Sequence, residues 1–184
     1  MQSMKKFDKQ CLLEVMLYIL NATKGADIYH LLKILYFAEQ KHLVKWGSRI
    51  TVDDFRAYEY GPVADQLYHA LRNSHRLDPE LADMLQQVVM LAGDDAPNVL
   101  LPKREANLDF LSQSERECLD ESISENAGLT FDQLKEKSHD SAWEKAYHGS
   151  SDLMDSLSIA RAAGASDAML EYIEEQTAID RALA

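Results

Sequence analysis

Between residues 34 and 68 the chain reads ILYFAEQKHLVKWGSRITVDDFRAYEYGPVADQLY, and this stretch constrains the fold more than any other. An amphipathic helix, a short turn, an aromatic extended segment and a Gly-Pro helix start follow one another in quick succession. Glu39 and His42 sit three residues apart within the apolar stripe of that helix. Such an order commits the chain to mixing helix with a little sheet.

The surrounding sequence is mostly helical in pattern. Asp8 is placed to cap a first helix running to about Thr23, with Leu12, Val15, Met16, Ile19 and Leu20 at helical spacing and Gly25 as its stop. Asp27 caps a second helix that ends at Gly47. On its broad face lie Ile28, Leu31, Leu32, Leu35, Glu39, His42, Leu43 and Trp46, while Lys33, Lys41 and Lys45 fall mostly opposite. Thr51 and Asp53 offer local capping in the connector that follows. Residues 55–60 alternate and are rich in aromatics, as a strand would be. Gly61 turns the chain, and Pro62 suits the first turn of a third helix reaching about Ser74. A further helical turn is expected over Asp78–Met84. Val88–Ala92 and Val99–Pro102 flank a turn-rich segment and predict a β-hairpin, which could join residues 55–60 in one three-stranded sheet.

The second half returns to helix. Helices are expected from Ser114 to near Gly128, after a Thr130 cap, and over Ser141–Tyr147 with Trp143 as anchor. Residues 149–151, Gly-Ser-Ser, are the best linker candidate. The sequence therefore divides into a domain over 1–148 and a helical C-terminal extension over 149–184, with Leu170 and Ile173 as anchors. The predicted class is α+β, predominantly helical, with a small antiparallel sheet or hairpin.

Charge is unevenly spread. Residues 1–92 hold 11 Lys and Arg against 11 Asp and Glu, and residues 93–184 hold 8 against 20, so the whole net charge of −12 falls in the second half. Such a surface repels phosphate backbones and suits a basic protein partner, although solubility alone accounts for it as well. No apolar run approaches the roughly 20 residues that span a bilayer, and a cytosolic start is expected. The two cysteines, Cys11 and Cys118, lie in apolar helical runs and read as buried thiols.

Chemistry is sparse. HExxH, CxxC, P-loop, GxGxxG and GxSxG motifs do not occur, and the six histidines show no ligand spacing. Neither a metal nor a cofactor is expected. Glu39 and His42 can be read as an acid–base pair, as a polar notch for a partner's side chain, or as a clamp holding the helix against Tyr58 or Tyr60. The clamp is the stronger reading, because no nucleophile or oxyanion device accompanies the pair. Trp46, Tyr58, Tyr60 and Tyr68 gather aromatics around Gly61-Pro62, either as core lining or as an interface. Arg49, Arg56, Arg72 and Arg76 supply positive charge nearby, which keeps a stacking platform for single-stranded nucleic acid in view.

These residues also resemble a known family. Leu32-Lys33-Ile34-Leu35-Tyr36-Phe37-Ala38-Glu39, His42-Leu43, Ile50-Thr51, Phe55-Arg56-Ala57-Tyr58, Tyr60-Gly61-Pro62-Val63 and Leu67-Tyr68 follow the order of the Panacea domain. This is the domain of SocA-like antitoxins, also met as GepA-type phage-associated proteins. Residues 111–115 and 139–146 are similar to the family's second half, so the resemblance covers about residues 10–148. Glu39 stands where Asp is frequent, and Tyr58 where Trp is common. The resemblance implies an antitoxin of a bacterial or phage toxin–antitoxin pair, not an enzyme, that neutralises a cognate toxin protein by direct contact. Homo-oligomers are left open, nucleic acid is disfavoured, and no membrane is implied. The partner-binding candidates are Glu39, His42, Arg49, Arg56, Tyr58, Tyr60, Gly61, Pro62, Tyr68 and Trp143. Two alternatives stand beside this reading: a nucleic-acid-binding regulator of its own operon, and an adaptor delivering the toxin to a protease.

Overall fold

The computed structural model describes residues 4–72 and 78–183. Ser74 and Arg76, which entered the reading above, lie outside the described residues. Within them the fold is α+β and predominantly helical, as expected, with two small antiparallel sheets.

Helix α1 spans Lys6–Thr23 and starts two residues before the expected Asp8 cap. Asp8 instead occupies the first turn, where its charge meets the positive end of the helix dipole. Lys24 closes the helix in the left-handed region at φ 57°, ahead of strand β1, Ala26–Asp27. Helix α2, Ile28–Trp46, begins under the Asp27 side chain, which accepts from His30 N, and ends at Gly47. Helix α2 is the axis of the molecule. Every residue from Leu31 to Glu39 is buried, so its middle is covered on all sides rather than on one face. Lys33, expected to face solvent, is 1 % exposed. Trp46, expected on the buried face, is 52 % exposed.

Strands β2 (Phe55–Tyr58) and β3 (Gly61–Ala64) form a tight hairpin pairing Phe55 with Ala64 and Tyr58 with Gly61. The chain thus stays extended through Pro62, where a helix start was expected. Helix α3, Asp65–Leu71, begins only where the buried Asp53 carboxylate accepts from Gln66 N and Leu67 N. That cap, not the proline, sets the helix start. Pro62 is tolerated because β3 is an edge strand and loses no ladder bond there.

Helix α4 (Pro79–Val88), capped by Asp78, leads into the expected hairpin of β4 (Val89–Leu91) and β5 (Val99–Pro102). The hairpin does not join β2. Its open edge on β5 is taken by β1, with Ala26 opposite Leu100, while β2 pairs on its other side with β6, Leu153–Met154. With β3 on one side and β6 on the other, β2 has no edge left for the hairpin.

A 3₁₀ turn at Leu108–Phe110 precedes α5, Gln113–Asn126, which opens with a capping box of Ser112 and Glu115 and packs along α2. Helices α6 (Phe131–Ser138), capped by Thr130, and α7 (Ser141–Tyr147) follow as expected. Past Gly149 the chain returns to the body of the fold. After β6, helix α8 (Ser156–Ala162) buries Ile159 and Ala160 against α2 and α7. Helix α9, Asp167–Leu183, buries Ile173, with Leu170 partly buried.

Candidate functional site

The N-terminal turns of α2, the β2–β3 turn, α3, the β4–β5 hairpin tip and the start of α6 surround a cleft of about 700 Å³, the size of a site for a small ligand or a side-chain cluster. Its walls are aromatic. Tyr29 packs on Phe131 at 4.3 Å between ring centroids, and Tyr60 meets the same phenyl edge-on at 5.7 Å. Tyr58 and Tyr68 form a second edge-on pair at 5.8 Å. Tyr29 Oη donates to the Tyr60 carbonyl at 3.1 Å, which ties α2 to the β2–β3 turn. Burial, with Asp132 and Asp27 nearby, pushes the Tyr29 hydroxyl up to about 12. Tyr58 Oη donates to Asp65 at 2.8 Å, and burial followed by that bond raises its pKa. Both phenols stay protonated and act as donors.

Lys33 lines the cleft from α2. Its Nζ donates to the Pro62 carbonyl at 2.6 Å and lies 4.8 Å from the Tyr29 ring centroid. Burial alone lowers this amine to about 7. Gly61 makes room for it. Its φ of +103° suits glycine, and a Cβ there would lie 2.5 Å from Ser138 Oγ and 3.0 Å from Lys33 Nζ. At the rim, Lys135 stands 5.4 Å from the Tyr60 ring and Arg72 packs 5.5 Å from that of Tyr68.

The predicted site residues divide into separate places. Tyr58, Tyr60 and Tyr68 line the cleft, and Gly61 and Pro62 shape its floor through Lys33. Trp143 lies behind it: its Nε1 donates to the Tyr58 carbonyl at 2.8 Å, and its ring stacks between His139 at 3.6 Å and Tyr147 at 4.6 Å. Arg56 is bound by Asp65 and Asp152, and Arg49 by the Asp53 carbonyl and the Glu39 carboxylate. With its guanidinium engaged on both sides, Arg56 offers no free charge to a phosphate backbone.

Glu39 and His42 lie away from the cleft and do not bond to each other. Fully buried Glu39 accepts from Ile50 N at 2.8 Å, Thr51 N at 2.9 Å and Thr51 Oγ1 at 2.6 Å. His42 Nδ1 donates to the Ser48 carbonyl at 2.7 Å, and Nε2 pairs with Ser114 Oγ at 3.1 Å. The predicted clamp partners, Tyr58 and Tyr60, are therefore replaced by the loop at residues 48–51. Chain connectivity explains this, since that loop returns directly over the end of α2.

Lys33, Tyr29 and Phe131 were not singled out as site residues from the sequence. Lys33 left one trace, a lysine set in the unbroken apolar run 31–38. Phe131 reaches the cleft only through tertiary packing. Among the described residues no cluster could hold a metal ion, and no helix is long and apolar enough to cross a membrane. Both cysteines are free thiols, Cys118 buried and Cys11 half-buried, and burial raises both.

This architecture defines a mostly helical α+β protein with an aromatic cleft. Its family follows from the sequence: the SocA-like antitoxin, Panacea domain matches residues 31–144, and the chain belongs to that family. The matched span contains α2 from Leu31 onward, the β2–β3 hairpin, α6 and the first four residues of α7, and with them most of the cleft wall, while Tyr29 lies just ahead of it. Neither a curated protein nor a solved structure matches the chain.

Proposed function

We propose that the protein is an antitoxin that neutralises a cognate toxin protein by direct contact, in the cytoplasm and without catalysis of its own. Membership of the SocA-like family carries this reading. The aromatic cleft supports it, because tyrosines that keep a wet hydroxyl on an apolar body are favoured at protein interfaces. Tyr60 is about half exposed at the mouth and is the first residue we expect a partner to meet. The carboxylates that bind Arg56 weigh against a nucleic-acid surface at the same place.

The test is co-expression with the product of the neighbouring gene, scored for growth and for a co-purifying complex. A stable complex with restored growth is expected. Growth that is indifferent to this protein, with no complex, would sink the reading.

A further inference from the structure

Lys33 is an amine deep in a cleft wall with a single hydrogen-bond acceptor, the Pro62 carbonyl. No carboxylate of the described residues acts on it, and burial alone brings it to about 7. This is unusual for the chain, whose other buried lysine, Lys9, pairs with Asp78 and Glu80. An acid excess of 31 to 19 has supplied carboxylates to Lys41, Lys45 and Arg56 but none to Lys33. Among the described residues, Arg72 in the cleft lining and Lys135 beside Tyr60 likewise contact rings rather than acids. Lys33 and Arg72 thus line the cleft with no carboxylate bonded to either among the described residues, and the acid in its lining, Asp27, is bonded to His30.

The shape of that charge selects its complement. A phosphate would call for several donors, such as free N–H groups at a helix terminus. Here the first turn of α2 is occupied: Asp27 accepts from His30 N at 2.9 Å and from His30 Nδ1 at 2.7 Å. One amine, flanked by Tyr29, Tyr60 and Phe131, fits one carboxylate attached to an apolar or aromatic body.

We infer that the cleft receives a segment of the toxin in which an aromatic side chain is followed by a carboxylate, the ring entering between Tyr29, Tyr60 and Phe131 and the carboxylate pairing with Lys33. This rests on the antitoxin reading for the source of the segment. The chemistry of the cleft can be tested apart from it.

The probes are a blocked phenylalanyl-aspartate dipeptide and its asparagine counterpart, titrated into the full-length protein and followed by amide chemical shifts. The aspartate form is expected to bind at least tenfold more tightly, with shifts centred on Tyr29, Lys33 and Phe131. Lys33→Met is expected to abolish that preference. Phe131→Ala, at an exposed ring, is expected to weaken binding of both forms while the thermal midpoint holds, so the test survives if Lys33→Met fails to fold. Equal binding of the two probes, absence of binding, or a preference that survives Lys33→Met would each overturn the inference. The same two variants are then assayed in complex with the neighbouring gene product. A loss of affinity of tenfold or more supports the cleft as the contact, and an unaffected complex overturns it. If the unmodified protein forms no such complex, the antitoxin reading falls, and the dipeptides still decide the cleft.

Discussion

A buried carboxylate that accepts three hydrogen bonds from one loop acts as a structural tie, and Glu39 holds residues 50–51 in this way. The amide of Glu39→Gln would turn N–H groups toward donors that need an acceptor. That substitution is expected to cost about 1–3 kcal/mol, read as a lowered urea midpoint. Unchanged stability with lost toxin neutralisation would instead make Glu39 a contact residue. Lys33 makes a second prediction at this scale. Its folded pKa of about 7 lies below its ordinary value of 10.5, so from pH 7 to 10.5 the unfolded chain holds a proton that the folded chain has released. Stability contributed by this group therefore rises with pH across that window, by at most about 1.4 kcal/mol per pH unit. Lys33→Met should remove the rise and be the more stable protein at pH 7. Urea unfolding of both proteins at several pH values gives the difference directly, with contributions from other titrating groups cancelling. A difference that does not vary with pH would contradict it.

The β2–β3 hairpin and the start of α3 depend on few atoms. Asp53 binds two N–H groups of α3 from outside the helix. Its replacement by alanine leaves the buried Leu67 N–H and the part-buried Gln66 N–H without this partner, and the expected loss is about 1–2 kcal/mol. Gly61→Val should be worse, since it combines a left-handed φ with a side chain forced onto Ser138 and Lys33. A thermal melt that leaves the Gly61→Val midpoint unchanged would refute that account. Tyr60 behaves differently from its neighbour. Its ring is about half exposed and only leans on Phe131, so Tyr60→Ala should spare the fold and be felt in binding.

The molecule is organised around α2, and residues beyond Gly149 take part in covering it. Strand β6 completes the sheet beside β2, and α8 seals α2 with Ile159 and Ala160. Tyr172 and Met169 of α9 cover Gly47, where an added Cβ would lie 2.5 Å from the Tyr172 ring. A chain ending at Gly149 exposes this apolar surface and one edge of β2. It is expected to melt at a clearly lower temperature, as followed by circular dichroism. An equal midpoint would show that residues 150–184 form an independent unit.

Local signals determined much of the fold. The Asp27 and Thr130 caps, the Gly47 stop, the β4–β5 hairpin and the aromatic strand at 55–58 were legible because each depends on residues a few positions apart. Three tyrosines of the cleft could be named for the same reason, since they lie close together in the chain. What the sequence could not settle was which surfaces meet. A helical wheel places Lys33 opposite the apolar stripe, and only the arrival of β3 and α6 on that side turns it from a solvent lysine into a buried amine without a counter-ion. Phe131 joins Tyr29 across a hundred residues, and β6 rather than the β4–β5 hairpin completes the β2 sheet. Burial and strand partnership are properties of distant segments brought together, so tertiary structure alone decided the charge of the cleft and the shape of its walls.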